Sequence, residues 1–500
     1  MRQLMPWLGI AAVLAVQGVQ SWRLMRSNTA FLDEATYLAG GHQVIANSLH
    51  GGADQHYATY FSGAPVIYPV LAAALDDLGG LQGVRIFSLV LMLLATFLCW
   101  STTRRLFGPV AALVAAALFS TTQGTVYLGA FATFDAMALC LIAAAAWIAV
   151  RNAPRAETSM LAYLAAPVMA LANATKYASF VFDPMVIALY GAAVASAIGW
   201  RCALRGAVRL TALTAMCVTA LLALAGPEYL TGISKTTTAR PDGSIPASAV
   251  LSSSVRWVGV IAAMAIVGGV VASVRAARHR GAWSRALLLW VCAIAALAAP
   301  LNQARIHSTT SLQKHVDFGA WFAAIAAGAL VAQLASRHWT RRVAALTAAA
   351  SLVTTAAVAG NHQAWRNYHI WPDSNALVAT LRPLMAQPGS RALVDNADVV
   401  RYYLRDETSA TQWTSTFYLS YYDRVAHRAL TGPAAFSAAV RDGYFSVIAL
   451  SWDTEKEVDT AVNEAVHASH RYQHVADVHL HSTFGQGTFT VWRRADGLNA

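Results

Sequence analysis

The stretch "GVRIFSLVLMLLATFLCWSTTRRLFG", residues 83 to 108, decides the fold class. Between Arg85 and Arg104 it carries no charged residue, and a helix of this length crosses a hydrocarbon core about 30 Å thick. The whole chain is 57% hydrophobic and 12% charged, whereas soluble proteins are about 25% charged. These features predict an integral membrane protein with many α-helical spans.

Apolar runs of similar length predict about eleven spans. They lie near 4–22, 84–103, 109–128, 134–150, 159–175, 178–200, 207–226, 256–274, 284–300, 316–336 and 343–360. Arginines cluster in alternate gaps: Arg104 and Arg105; Arg151 and Arg155; Arg201, Arg205 and Arg209; Arg275, Arg278, Arg280 and Arg285; and Arg337, Arg341 and Arg342. Positively charged loops face the cytoplasm, so these gaps, together with Arg2, predict a cytoplasmic N-terminus in a plasma (inner) membrane. The alternative for residues 1–22 is a removable signal peptide, but its removal would reverse this parity.

Two domains follow from the change in pattern near residue 361. Residues 1–360 form the transmembrane domain, whose first outer loop, 23–83, contains interfacial helix candidates at 36–48 and 66–75. The Pro-, Gly- and Ser-rich outer loop 227–255 predicts a mobile lid. Residues 361–500 predict a small extracytoplasmic α/β domain, because its apolar positions follow the periods of short strands and amphipathic helices.

The elements of that domain are also predicted. "RALVDN" (391–396) and "FSVIALSW" (445–452) are strand candidates, "AAFSAAVRDG" (434–443) and "EKEVDTAVNEAVHASHRY" (455–472) are helix candidates, and a hairpin turns at 484–487. Asp395, Asp398 and Asp453 fall at strand or loop ends, where we interpret them as solvated turn residues.

The charge pattern argues against nucleic acid as a partner. The net charge of +11 is spread over short loops and no basic patch is interleaved with aromatic residues, which favours contact with membrane lipids. The five cysteines have no metal-type spacing, and no disulfide is expected. A divalent metal held by His42, His50, Asp54 and His56 stays open as an alternative, although no cofactor is required by the chemistry below.

Ionisable residues near membrane depth are costly, so they indicate function. The predicted topology places Asp33, Glu34, Asp135 and Lys176 on the outer face. A carboxylate can take the proton of an attacking hydroxyl, and a cation can stabilise a leaving phosphate. Each has a simpler alternative: Asp135 as a helix N-cap, Lys176 as a snorkelling side chain, and Asp33 with Glu34 as a solvated pair.

The ordered motifs of residues 1 to 360 resemble the GT-C superfamily of membrane glycosyltransferases, in particular the protein O-mannosyltransferase and aminoarabinose-transferase-like branch. Asp33-Glu34-Ala35-Thr36-Tyr37 is similar to the first acidic motif of that branch, and "FATFDAMALCL" to its second. "ALANATKYASFVFDP" resembles its Thr-Lys-Tyr segment, and "SLQKHVDFGAW" stands where Arg-Tyr is usual. Where many relatives have Lys-Pro-Pro in the first loop, this chain has Gly63-Ala64-Pro65.

The resemblance implies inverting transfer of one sugar from a polyprenyl-monophosphate carrier to a hydroxyl of a cell-envelope glycan, lipid or protein. Asp33 would be the base, Glu34 would support it or contact the acceptor, and Asp135 would orient the acceptor or the donor sugar. Candidate partners of the donor phosphate are Lys176, Lys314, His315, Arg305, Arg240 and Arg256. The predicted substrate pocket also includes Tyr37, His42, Tyr68 and Tyr177.

Two other functional classes remain as alternatives. A transporter or flippase of a lipid-linked or polar substrate would show related halves with broken helices near the midplane, and we find no internal repeat. A noncatalytic scaffold for the outer domain would not need Asp33 and Asp135.

Overall fold

The computed structural model describes residues 5–51, 56–278, 283–335, 339–451 and 455–495. Arg2, Asp54, Arg280, Arg337 and Asp453, used above, lie outside these ranges. The described residues up to 368 are mostly helical. Their helices are α1 (Met5–Met25), α2 (Leu32–His50), α3 (Tyr68–Phe107), α4 (Pro109–Ser120), α5 (Gln123–Leu128), α6 (Phe134–Asn152), α7 (Ala165–Thr175), α8 (Asp183–Ala197), α9 (Trp200–Thr236), α10 (Ala247–Arg278), α11 (Trp283–Arg305), α12 (Leu312–Ala335) and α13 (Trp339–Tyr368).

Nine helical segments of the described ranges are long and apolar enough to cross a membrane, and the chain is a multi-pass membrane protein. Two of the predicted spans, 109–128 and 159–175, are not among these nine. Their helices, Pro109–Ser120 and Met160–Thr175, are shorter than the others. The first of them is interrupted after Ser120, where the Thr122 hydroxyl accepts a hydrogen bond from the Thr125 N–H and starts α5.

The predicted loops are more helical than expected. The interfacial candidate 66–75 is the start of α3, which is interrupted at Gly80 in a left-handed conformation (φ 60°). The expected lid 227–255 is mostly helix, since α9 restarts at Pro227 after Gly226 (φ 81°) and α10 begins at Ala247. Proline in the first turn of a helix costs no hydrogen bond, which is why "GP" there starts a helix.

Beyond residue 368 the chain forms a small α/β fold with two sheets, which confirms this part of the predicted fold class. Its strands are β1 (Ala392–Val394), β2 (Trp413–Ser415), β3 (Ser420–Asp423), β4 (Arg428–Thr431), β5 (Val447–Leu450), β6 (Tyr472–Ser482) and β7 (Gly485–Arg494), and its helices are α14 (Asn375–Met385), α15 (Ala397–Tyr403), α16 (Pro433–Arg441) and α17 (Lys456–Ser469). The main sheet has the order β2-β1-β5-β7-β6, with β2, β1 and β5 parallel and β7 antiparallel to both neighbours.

Alternating residues of β1 build the two cores of this fold. Ala392 and Val394 pack with α14 and α15 on one face of the sheet. Leu393 packs with α16 and α17 on the other face. All four predicted strands and helices of the domain, and its hairpin, are present.

By packing, the chain divides into two compact units. The membrane unit comprises Met1–Arg26 and Gly41–Trp365, and the C-terminal unit comprises Ser27–Gly40 and Arg366–Ala500. The segment that carries the first acidic motif therefore folds with the C-terminal sheet. The predicted division into a catalytic transmembrane domain, 1–360, and an extracytoplasmic domain, 361–500, stays a prediction.

Candidate functional site

Asp135 lies at the centre of a buried ionic cluster in the membrane unit. Its side chain has no exposed surface, and its Oδ1 lies 2.6 Å from Lys176 Nζ. Lys314 Nζ lies 3.7 Å from Oδ2, and the Thr133 hydroxyl donates to the same oxygen at 3.1 Å. The N-cap of α6 is Thr133, so the alternative of Asp135 as the cap residue is wrong.

The two lysines are enclosed rather than extended toward an interface. Lys176, which follows the last residue of α7, is 2% exposed, and Lys314, in the first turn of α12, is 3% exposed. Their ammonium groups lie 4.6 Å from the centroid of the Phe134 ring and 5.6 Å from that of Phe131, respectively. Ring faces attract cations and repel water, so the rings help to hold the charges at this depth. The snorkelling alternative for Lys176 is therefore wrong.

A cavity of about 460 Å³, which we call the polar cavity because basic and amide side chains form part of its wall, is lined by the chain neighbours of both lysines. Tyr177 and His315, which directly follow the two lysines, line it, and so do Arg240 and Arg305. Gln303 Nε2 lies 3.0 Å from His315 Nδ1 and also donates to the Thr310 carbonyl. If Nδ1 accepts from Gln303, the imidazole carries its proton on Nε2, which is buried and has no hydrogen-bond partner in the described part of the chain.

An apolar cavity of about 470 Å³ shares a wall with the polar one. Tyr177, Phe180 and Ile233 line both cavities. The remaining lining of the second is mostly aliphatic and comes from α7, α9 and the segment just before α3: Ala64, Val66, Ile67, Ala170, Asn173, Ala174, Val218, Leu221, Leu222, Leu224, Ala225 and Tyr229. The membrane unit thus contains a cavity lined in part by basic side chains next to an apolar cavity.

The position of the missing Lys-Pro-Pro motif lies against Lys176. Ala64 N donates to the Ala174 carbonyl at 2.8 Å, and Tyr177 N donates to the Ser62 carbonyl at 2.9 Å. A Cβ atom at Gly63 would lie 2.0 Å from the Thr175 carbonyl oxygen. No side chain fits at Gly63 in this packing, so a lysine there is excluded sterically.

Asp33 and Glu34 occupy the first turn of α2, in the C-terminal unit. Glu34 is fully buried, and its Oε2 accepts a hydrogen bond from the Phe31 N–H at 2.9 Å. A glutamate in the first turn that bonds back to the cap residue stabilises a helix start. Asp33 and Tyr37 are half-buried. The two acids of the motif therefore differ, since Glu34 organises the turn that presents Asp33.

The remaining predicted residues are distributed over other parts of the membrane unit. Tyr68 is buried at the start of α3, edge-on to Phe134 with centroids 6.3 Å apart. His42 lies 2.8 Å from Asp76 and 3.6 Å from Asp77. Arg256 lines a different, smaller cavity with Thr122 and Gln363, so the structure does not bring it to Arg240 and Arg305.

The predicted metal alternative is not assembled among the described residues. His56 contacts Glu228 at 3.0 Å, His42 contacts the two aspartates named above, and Asp54 lies outside the described ranges. Within those ranges, no group of three or more His, Cys, Asp or Glu side chains is placed to hold a metal ion.

A further buried acid, Asp317, and the amide side chains of the cavity were not predicted from the sequence. Asp317, fully buried on α12, accepts from Thr122 Oγ1 at 2.6 Å and Thr125 Oγ1 at 2.9 Å. Asn302 and Gln303 line the polar cavity. Asp317 stood inside the quoted motif "SLQKHVDFGAW", where an acid in an apolar run was a signal that could have found it.

Comparisons with known proteins agree with this fold. Residues 65–223 match the family model of dolichyl-phosphate-mannose-protein mannosyltransferases. No curated protein matches the sequence. ArnT from Cupriavidus metallidurans, solved bound to undecaprenyl phosphate, is similar with a TM-score of 0.57 at 14% identity, over 97% of each chain.

A second similar structure comes from an archaeon. The oligosaccharyltransferase AglB from Archaeoglobus fulgidus, in complex with an inhibitory peptide and a dolichol-phosphate, has a TM-score of 0.56 at 12% identity, over 96% of this chain and 74% of that one. The chain thus has the fold of GT-C membrane glycosyltransferases, and its predicted resemblance to the protein O-mannosyltransferase and aminoarabinose-transferase-like branch is confirmed.

Proposed function

We propose that the chain transfers one sugar from a polyprenyl-monophosphate carrier to an acceptor hydroxyl, with inversion at the anomeric carbon. The observation that carries the proposal is the pair of cavities with a common wall at Tyr177, Phe180 and Ile233. A lipid phosphate needs both spaces, because its chain prefers an apolar surface while its head group needs cations and N–H donors. Undecaprenyl phosphate and dolichol-phosphate are bound by the similar ArnT and AglB structures.

The cations of the membrane unit suit a leaving phosphate. In the proposed reaction the acceptor oxygen forms a bond to the anomeric carbon while the bond from that carbon to the phosphate oxygen breaks. Negative charge then grows on the phosphate, and preorganised cations stabilise it without reorganisation. Lys176 and Lys314 supply two of these charges, and Arg240, Arg305 and His315 line the cavity wall. The steric exclusion of a lysine at Gly63 favours Lys176 as the residue that replaces it.

Asp135 has the role of holding the lysines. Its carboxylate contacts both ammonium groups, which fixes their positions and offsets part of their mutual repulsion. Asp33 is the proposed base that takes the proton of the acceptor hydroxyl, and Glu34 holds the helix start that carries it. The lysine and arginine charges make a resident metal unnecessary for this chemistry.

The orientation is part of the same proposal. The Arg-rich gaps favour a cytoplasmic N-terminus, and with that orientation Asp33 and the C-terminal unit would lie on the outer face of the inner membrane. There a carrier can keep its chain in lipid while the head group meets a glycan, lipid or protein acceptor.

The test uses the purified chain in lipid nanodiscs with a set of polyprenyl-monophosphate sugars and an envelope extract as acceptor. Wild type should transfer label, and Asp33→Asn should be slower by on the order of 100- to 10,000-fold, the usual contribution of a general base. Asp373→Asn is the matched control, since Asp373 is exposed in the same unit and an amide oxygen can still accept from the Asn375 N–H. Equal turnover by Asp33→Asn and wild type removes Asp33 as base; translocation of the carrier without transfer would instead support the transporter.

A further inference from the structure

The C-terminal unit contains a cavity of about 450 Å³ that the proposed chemistry does not use. It opens where the parallel strands β1 and β5 end, between Asp395, Ser451 and the tip of the β6–β7 hairpin. In open α/β sheets, ligands bind in the crevice outside the carboxyl ends of parallel strands. The size also suits a small ligand, since such pockets span about 300 to 1,000 Å³.

The floor of this cavity is rigid. Asp395 is 1% exposed, and its carboxylate accepts from Thr416 Oγ1 at 2.6 Å, Ser451 N at 2.7 Å and Ser451 Oγ at 2.9 Å. The interpretation of Asp395 as a solvated turn residue is therefore wrong. Its three bonds tie the ends of β1 and β5 together, and the next residue, Asn396, starts α15 from a left-handed conformation (φ 52°). Asparagine tolerates this conformation better than most residues.

The walls of the cavity combine aromatic rings with neutral polar groups. Trp371, Phe484 and Phe489 contribute rings, and Gln486 and Asn396 contribute amides. Trp371 Nε1 is buried and finds no hydrogen-bond partner in the described residues, which is an unusual state for a buried donor. Among the described residues that line it there is no lysine, arginine or histidine, and Asp395 is the one acidic side chain. The cavity therefore disfavours phosphates and carboxylates and suits a neutral ring with hydroxyl groups.

The same wall supports the segment that carries the first acidic motif. Asn28 Nδ2 donates to the Trp371 carbonyl at 2.7 Å, and Ser374 N donates to Thr29 Oγ1 at 2.9 Å. The ring of Phe31 lies 5.6 Å from that of Trp371. Two residues of the cavity lining thus fix the three residues that lead into α2 and Asp33.

We propose that this cavity binds a neutral saccharide unit of the acceptor, so that the acceptor is a glycan. This inference rests on the proposed function, because only a transferase has an acceptor, and it adds the chemical class of that acceptor. A sugar ring stacks an apolar C–H face on an aromatic side chain while its hydroxyls bond to amides, and the lining offers both. The saccharide is then held on the same folded unit as Asp33.

The test measures binding directly on the full chain in detergent, by saturation-transfer-difference NMR. The probes are cellobiose, maltotriose and mannobiose as neutral saccharides, glucose 6-phosphate as an anionic one, and a Ser/Thr-containing peptide. The neutral saccharides should receive saturation and the phosphate should not. The Phe484→Ala/Gln486→Ala variant, at an exposed hairpin tip, should bind roughly tenfold more weakly, because losing a ring contact and an amide costs about 1.4 kcal/mol.

Phe417→Ala is the matched control, because Phe417 is a 54% exposed ring of the same unit that does not line the cavity. Binding by this variant should equal that of wild type. The proposal would be overturned if only the peptide received saturation or if no saccharide did. It would also be overturned if the saccharides bound wild type and the double variant equally well. Asp33→Asn should keep saccharide binding while losing transfer, which separates failure of this inference from failure of the proposed function.

Discussion

Asp135 and Asp317 are both fully buried acids on helices of the membrane unit, yet they have different partners. Asp135, on α6, contacts the ammonium groups of Lys176 and Lys314. Asp317, on α12, accepts from the hydroxyls of Thr122, the N-cap of α5, and Thr125, in the first turn of α5. One acid concentrates charge next to a cavity, and the other closes a helix junction with neutral donors.

The two acids are equally buried, so their partners, and not their burial, distinguish a candidate functional acid from a structural one. A carboxylate held by hydroxyls joins secondary-structure elements, as Asp317 joins α12 to α5. The packing there is close, because a Cβ at Gly124 would lie 2.8 Å from Asp317 Oδ1. A carboxylate that gathers lysines stores electrostatic energy, and such sites are candidates for chemistry. Exchanging each acid for its amide should therefore have different consequences.

Asp135→Asn should have the largest effect. It removes the charge that both lysines contact, and breaking a buried ion pair on one side typically costs about 3 to 5 kcal/mol. We expect a clear loss of thermal stability in detergent and no sugar transfer. A variant as stable and as active as wild type would mean that the cluster has no role.

Lys176→Met should lower transfer by on the order of 100-fold, which is the usual cost of removing one preorganised donor. Lys314→Met should lower the rate of transfer less, because Lys314 lies 3.7 Å from Asp135 whereas Lys176 lies 2.6 Å from it. Single-turnover transfer with saturating donor measures both. Equal rates for the two variants would contradict the ranking.

Gly63→Ala should reduce transfer by about tenfold, because its Cβ would lie 2.0 Å from the Thr175 carbonyl and displace the backbone that leads into Lys176. The control is Gly79→Ala, where a Cβ meets no atom within 4 Å. We expect this control to keep wild-type transfer. If both substitutions behave alike, the packing of the first loop on the lysine segment is irrelevant to the reaction.

Asp317→Asn should have the smallest effect. The amide oxygen keeps one threonine as a donor, so the cost is that of about one hydrogen bond, roughly 1 kcal/mol. Transfer should stay at the wild-type rate while thermal stability falls slightly. Loss of transfer without loss of stability would show that Asp317 also takes part in the reaction.

The sequence predicted what depends on local periodicity. The run around Met92 decided the class of fold, and the strands at Leu393 and Ile448 followed from short apolar runs with turns at their ends. The break after Ser120 was not predicted, since Thr121 and Thr122 interrupt an otherwise apolar run only once they cap a helix. Hydropathy alone does not distinguish a short helix pair from one span.

The site was predicted in part for a similar reason. Motif order suggested Asp135 and Lys176, but the ion pair with Lys314 and the enclosure of both lysines depend on residues far apart in the chain. The same holds for Asp395, whose donors Thr416 and Ser451 come from two other segments, and for Asn28 and Trp371. No sequence period encodes such contacts.

Binding of a radiolabelled polyprenyl monophosphate to the nanodisc-embedded chain tests the central claim most directly. The central claim is that the paired cavities next to the Asp135 cluster hold a lipid phosphate. We predict that Lys176→Met binds at least about tenfold more weakly than wild type, a loss of about 1.4 kcal/mol, and that Asp317→Asn binds equally well. Lys176→Met binding as tightly as wild type would contradict the account.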